Sequence, residues 1–266
     1  MSRMPSIHTP SPQHLFILTG ASRGMGRAMA EQLLAPGHTL LCISRGVSDP
    51  LQSLADKTGA RLTQWSADLS DGAAASARLS EWLSTQQPGA CLSASLINNA
   101  GVIPAIVPLR DSDPADLAQA LRVGLEAPMQ LTAAFLDSTR DWQAPRRVLN
   151  ISSGLGRRAM ASQAAYCAAK AGMDHFTRCL ALDEAGQANG ARVCSLAPGV
   201  IDTDMQSHLR GADQSSFPDR GNFERLKSEG QLTSPEDAAR RVLAWLQRPD
   251  FGAEPVDDIR NSKAIS

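Results

Sequence analysis

The chain predicts a single doubly wound α/β domain, a mostly parallel seven-stranded sheet with helices on both faces, and two observations carry that expectation. Short apolar runs recur at residues 15–18, 40–43, 96–97, 148–151 and 193–196, with helical segments between them. This alternation is the one expected of parallel strands joined by crossover helices. The first run leads directly into Thr19-Gly20-Ala21-Ser22-Arg23-Gly24-Met25-Gly26 and then a helical stretch. A buried strand, a glycine-rich turn and a helix start form an anion site, because free N–H groups and the helix dipole point at the anion. At 266 residues and 42% hydrophobic content the chain can bury one substantial core, and no internal boundary interrupts it.

Taken in order, the strand at 15–18 ends in the glycine turn, where each glycine has a task. Gly20 permits the tight turn, Gly24 lets the backbone approach phosphates, and Gly26 lets the helix at 27–34 pack closely on the strand. Taken alone, such a turn is also compatible with an ordinary strand-to-helix loop. Residues 39–43 read as strand two. Where a chain that binds the unphosphorylated dinucleotide places Asp or Glu for the ribose hydroxyls, this one has Ser44-Arg45. Arg45 and Arg23 are suited to grip a 2′-phosphate through charge-assisted hydrogen bonds, which points to NADP(H). The alternative is two solvated arginines in a chain with 22 Arg and 4 Lys.

Residues 62–65 make a weaker third strand and 256–259 a last, edge strand. Helices are expected at 73–85, 114–136, 159–182 and 235–246, the last opened by Thr233-Ser234-Pro235-Glu236, a cap residue followed by Pro. The stretch 203–231 is long for a connection in a compact domain, and such insertions are often lids. Its Met205, Leu209, Phe217 and Phe223 either line a substrate site or tie the segment to the core. Residues 102–109, with Pro104 and Pro108, form the other expected wall.

The chain has one tyrosine, Tyr166, four residues before Lys170 and thirteen after Ser153. Positions i and i+4 share a helix face, so both side chains enter one site. A phenol becomes a useful proton donor near neutrality when a neighbouring positive charge stabilises its phenolate, and Lys170 is placed to supply that charge.

With these residues assembled, the chain resembles the short-chain dehydrogenase/reductase family from about residue 15 to 259, which implies a Rossmann fold. The glycine turn matches the family's cofactor turn, contributed by Gly20, Ser22, Arg23, Gly24, Met25 and Gly26. Asp68-Leu69 matches its adenine-contacting pair, and Asn98-Asn99-Ala100-Gly101 its fourth-strand motif. Asn150-Ile151-Ser152-Ser153 ends strand five with the catalytic serine, and Tyr166-Cys167-Ala168-Ala169-Lys170 is the active-site helix. Pro198-Gly199-Val200-Ile201-Asp202-Thr203 is the nicotinamide-side loop. Residues 197–206 and 226–232 look like the sepiapterin reductase and benzil reductase branch, whose members reduce ketones, often vicinal dicarbonyls or a pterin side-chain ketone, with NADPH.

The resemblance implies a homodimer through the helices carrying Gly124 and Tyr166; Leu155 and Met205 are expected near the substrate. Asp257 sits where the pterin-anchoring Asp of the branch would fall, or is a solvated end-of-strand carboxylate. Lys170 would also bond the nicotinamide ribose. One departure stands out: where most members have Val-Asn-Leu, this chain reads Val123-Gly124-Leu125. The Asn carbonyl holds a proton-relay water in the family; a Gly carbonyl survives in its place, and slower proton delivery is the expectation. Gly124 also motivates an alternative, an NADP(H)-binding sensor or interaction protein with weakened catalysis.

A formal net charge of −1, with dispersed arginines, argues against nucleic acid or anionic membrane as partner. No apolar segment approaches the ~20 residues that span a bilayer. Residues 1–13 read as a loose extension without a signal core, residues 14–260 as the domain, and residues 261–266 as a tail. The five cysteines show no metal or redox spacing and read as reduced core thiols, consistent with a cytoplasmic location. Arg157-Arg158 either meets an acidic substrate or is a solvated pair.

Overall fold

The computed structural model describes residues 12–261. The expected extension and tail therefore lie outside the described residues except at positions 12, 13 and 261. Gln13 is not part of an extension: it opens strand β1 (Gln13–Thr19), is buried, and accepts from Thr39 Oγ1 at 2.6 Å. There follow α1 (Gly24–Leu33), β2 (His38–Ser44), α2 (Asp49–Thr58), β3 (Arg61–Ser66), α3 (Gly72–Ser84) and β4 (Cys91–Asn98). The second half runs α4 (Pro114–Leu121), α5 (Ala127–Ser138), β5 (Arg146–Ile151), α6 (Ala164–Ala185), β6 (Arg192–Ala197), α7 (Asp204–Arg210), α8 (Arg220–Ser228), α9 (Pro235–Leu246) and β7 (Val256–Asp258).

The strands form one seven-stranded sheet in the order β3-β2-β1-β4-β5-β6-β7, and every pairing is parallel, including the edge strand β7 on β6. The central strands are continuous apolar runs because both faces are covered. Leu18, Leu40, Cys42, Ile97, Leu149 and Leu196 pack against α1 and α9. Ile17, Leu41, Leu96, Val148 and Val193 pack on the other face against α3 and α5. Chain order reverses between β1 and β4, so the carboxyl ends of these strands open a crevice at the point where ligands of such sheets bind.

Some elements differ from the sequence expectation for identifiable reasons. The single helix expected at 114–136 is α4 and α5 joined by a five-residue π turn, Arg122–Glu126, centred on Gly124. A Cβ at Gly124 would sit 3.1 Å from Ala169 Cβ, so this turn lies in close contact with α6. Helix α6 begins at Ala164, not at 159, because Ser162 adopts φ 59 and Gln163 caps the helix from a non-helical conformation. Helix α2 was not expected; Pro50 starts it and Gly59, at φ 73, ends it with its N–H on Ala55 O.

Candidate active site

The glycine turn is built for close backbone approach. Gly20 has φ +71 and its N–H donates to Ile43 O at 2.8 Å; a Cβ there would lie 2.9 Å from Ala100 Cα. A Cβ at Gly26 would collide with the Gly20 carbonyl oxygen. Thr19 Oγ1 accepts from the N–H groups of Asn99 and Ala100 at 2.9 and 3.0 Å, while Asn99 Nδ2 donates to Thr19 O and Gly20 O. The turn and the end of β4 are thus one hydrogen-bonded unit. No side chain caps α1 and no acid lies in its first turn, so its N–H groups and Ser22, Gly24 and Met25 form a cradle that fits a dinucleotide pyrophosphate.

At the outer end of the crevice, the Ser44 hydroxyl accepts from Ala21 N at 2.9 Å, and Arg45 beyond it is exposed. Arg23 is also exposed and reaches Asp204 at 3.5 Å. Asp68 stands beside them, its carboxyl held below the ordinary range chiefly by the Ser70 N–H and, more weakly, by Arg45. Leu69 is buried under it. This end presents guanidinium groups and no carboxylate at positions 44 and 45.

At the inner end, Ser153, Tyr166 and Lys170 converge. Ser153 follows β5, is partly buried, and accepts from Leu155 N at 3.2 Å. Tyr166 lies in the first turn of α6 and is nearly enclosed. Lys170 Nζ donates to Ile151 O at 2.7 Å, stands 5.8 Å from the Tyr166 ring centre, and faces Gly101. Against the expected acidification of Tyr166, burial raises the phenol above its usual value, opposed by the Ser153 hydroxyl. Burial acts oppositely on the amine and lowers Lys170 to about 8, with Asp174 pulling it back up.

Asp257 does not share this site. It pairs with Leu196, which faces α9, and its carboxylate accepts from Asp258 N at 2.7 Å and Asn261 Nδ2 at 3.0 Å beside Trp245. Side chains alternate along a strand, so the carboxylate on the Tyr166 face of β7 is that of Asp258, clamped by Arg260 at 2.6 Å. The anchor expected at Asp257 is therefore on the wrong face. Arg157 departs from both readings offered for it, because it turns inward to Asp174 Oδ2 at 3.1 Å.

Pro198, Gly199 and Val200 lead from β6 to the base of the 203–231 segment. Gly199 takes φ +85, and Asp202 N–H to Thr233 O and Thr233 N–H to Val200 O, both 2.9 Å, join the two ends of that segment. Thr203 begins α7 against the glycine turn, its Cγ2 3.2 Å from where a Gly24 Cβ would be. Met205 is half-buried; Leu209, Phe217 and Phe223 are buried together with Ile106 and Met160 in a small core of their own, against which Leu155 and Cys167 pack. Cys42 and Cys194 are buried thiols pushed up to about 12, whereas Cys179 is exposed, unlike the core position expected of it.

Sequence reasoning missed Asp174, Ser152 and Ser195. A carboxylate four residues after Lys170 on an Ala-rich helix was the available signal.

The short chain dehydrogenase family model matches residues 14–214. Benzil reductase ((S)-benzoin forming) of Bacillus cereus is 35% identical over 235 residues, covering 88% of this chain and 94% of that protein. Sepiapterin reductase of Meriones unguiculatus is 35% identical over 247 residues, covering 88% and 92%. A solved short chain dehydrogenases/reductase of Saccharomyces cerevisiae, 23% identical, superposes with a TM-score of 0.80 over 94% of this chain and 97% of that one, a likeness of fold alone.

Proposed function

The chain belongs to the short chain dehydrogenase family and is an oxidoreductase related to benzil and sepiapterin reductases, and from that premise we propose that it is an NADPH-dependent reductase of ketones, vicinal diketones foremost. The observation that carries the reading is the convergence of Ser153, Tyr166 and Lys170 at the carboxyl edge of the sheet, in one crevice with the glycine turn. Bound NADPH supplies the hydride. Gly20, Ser22, Gly24, Met25 and Gly26 hold its pyrophosphate, Asp68 and Leu69 its adenine side, and Asn99, Ala100, Gly101, Pro198, Gly199, Val200 and Thr203 its nicotinamide side. Arg23 and Arg45, with no carboxylate at positions 44 and 45, favour the phosphorylated cofactor.

Ser153 donates a hydrogen bond to the substrate carbonyl oxygen, fixing it and stabilising negative charge as it develops. Tyr166 protonates that oxygen. Burial keeps the phenol protonated until it is needed, and the Lys170 ammonium stabilises the phenolate left behind, so the positive charge acts more on the transition state than on the resting enzyme. Leu155 and Met205 border the substrate space, and the 203–231 segment closes it. Exposed Leu121, Met129 and Leu182 on α4, α5 and α6 offer the apolar face of a homodimer in the cytoplasm.

Purified protein is mixed with NADPH or NADH and with benzil, other vicinal diketones and sepiapterin. NADPH oxidation on a dicarbonyl, faster than with NADH, is expected. Cofactor binding without turnover on any carbonyl would instead favour the sensor reading that Gly124 motivates.

A further inference from the structure

Two side chains one turn apart on α6 grip the end of β5 from the same helix face. Lys170 Nζ donates to the carbonyl of Ile151, and Asp174 Oδ1 accepts from the hydroxyl of Ser152 at 2.6 Å. The backbone immediately before Ser153 is thereby held at two consecutive residues. The Asp174 carboxylate, 1% exposed, also accepts from Ser195 Oγ of β6 at 2.6 Å and from Arg157 Nε at 3.1 Å. Arg157 extends the connection to β7, since its NH2 donates to Asp257 O at 2.9 Å. A Cβ at Gly156 would lie 2.9 Å from both Asp174 Oδ2 and Lys170 O, so the loop after Ser153 is packed directly on this pair.

We propose that Asp174 is a positioning residue for carbonyl reduction, holding Ser153 through Ser152 and keeping the Lys170 ammonium charged beside Tyr166. The inference rests on the roles assigned above to Ser153, Tyr166 and Lys170. A carboxylate that receives three donors in the interior is not interchangeable with an amide, which keeps the shape but loses the charge and turns one acceptor into a donor facing Arg157.

Lys170 faces Tyr166 on its own helix, Ser153 and Ile151 at the end of β5, and Gly101 after β4. Asp174 faces Arg157 from the loop after β5 and lies near Cys194 of β6, whose thiol also feels Asp257. On β7, Asp258 feels Arg157 but is neutralised mainly by Arg260. Arg157 competes with Lys170 for the Asp174 charge, and Asp174 still raises the Lys170 value against burial.

The chain has four lysines, Lys57, Lys170, Lys227 and Lys263, so 13Cε-lysine NMR of the full-length protein resolves the Lys170 titration without substrate. In the wild type the midpoint is expected at about 8. In Asp174→Asn it should fall by roughly one pH unit, and the alkaline limb of kcat for the reduction should move down with it while the KM for NADPH changes little. A folded Asp174→Asn whose lysine titration and kcat profile match the wild type overturns the proposal.

If Asp174→Asn does not fold, the paired variant Ser152→Ala/Ser195→Ala keeps the charge and removes two donors. It should lower kcat with the Lys170 midpoint unmoved, and an unchanged kcat overturns the positioning role. Should no carbonyl be reduced even by the wild type, the NMR titration still reads the Asp174–Lys170 link, so failure of the enzymatic reading and failure of this one are told apart.

Discussion

A phenol enclosed by protein holds its proton more tightly than one in water, and in Tyr166 this outweighs the hydrogen-bonding help of Ser153. The resting site is therefore poised to give a proton, the direction reduction requires. Tyr166→Phe keeps the ring and removes the acid, so kcat should fall by about 10²- to 10⁴-fold while NADPH binding, followed by fluorescence titration, is retained. Lys170 sets the pH response. In the proposed mechanism the amine, charged below about 8, stabilises the phenolate left behind and is neutral above that value, so kcat for ketone reduction should decline as pH rises through it. A kcat flat from pH 7 to about 10 would remove Lys170 from this role. That Tyr166 and Lys170 share one face was readable from spacing alone, because i and i+4 on a helix are neighbours whatever surrounds them, whereas Ser153 was picked out only by the family resemblance. The direction of the Tyr166 shift was not readable, since burial is a property of everything packed around α6.

Among elements, those whose ends carry chemical punctuation were the most legible. Helix α9 spans the residues expected of it, because the Ser234 side chain accepts from Asp237 N and Pro235 starts the helix. The π turn at Gly124 carries no such mark, and a Cβ there would stand only 3.1 Å from Ala169 of α6. Helices α7 and α8 escaped notice because their few apolar residues serve the small core around Phe217. Two predictions belong to this scale. Gly26→Ala drives a methyl into the Gly20 carbonyl, so NADPH affinity should be lost in calorimetric titration and the melting temperature should fall. Phe217→Ala opens a cavity beside Phe223, which stacks on it at 5.6 Å, costing about 3–5 kcal/mol confined to the 203–231 segment. The KM for the ketone should rise, and hydrogen exchange should speed up in α7 and α8 but not in β1 or β4.

For the whole molecule, the exposed apolar side chains of α4, α5 and α6 bear on assembly. Leu182, 78% exposed on α6, is expected at the dimer interface; Leu182→Glu should shift the protein toward monomer in sizing chromatography, and an unchanged elution would place the interface elsewhere. The sheet, its parallel sense and the crevice at its carboxyl edge were settled by the sequence itself, through apolar runs that must be covered on both faces and a glycine turn that needs close backbone approach. Which face each polar group serves was decided only in three dimensions. Asp257 and Asp258 are adjacent in the chain yet lie on opposite faces of β7, because a strand alternates and only its register with β6 determines which carboxylate lies on the α9 side. Asp174 gathers Ser152, Arg157 and Ser195 from distant segments around one buried charge. Such a cluster leaves no local periodicity to read, since a buried carboxylate draws its donors from whatever strands and loops the packing brings within reach.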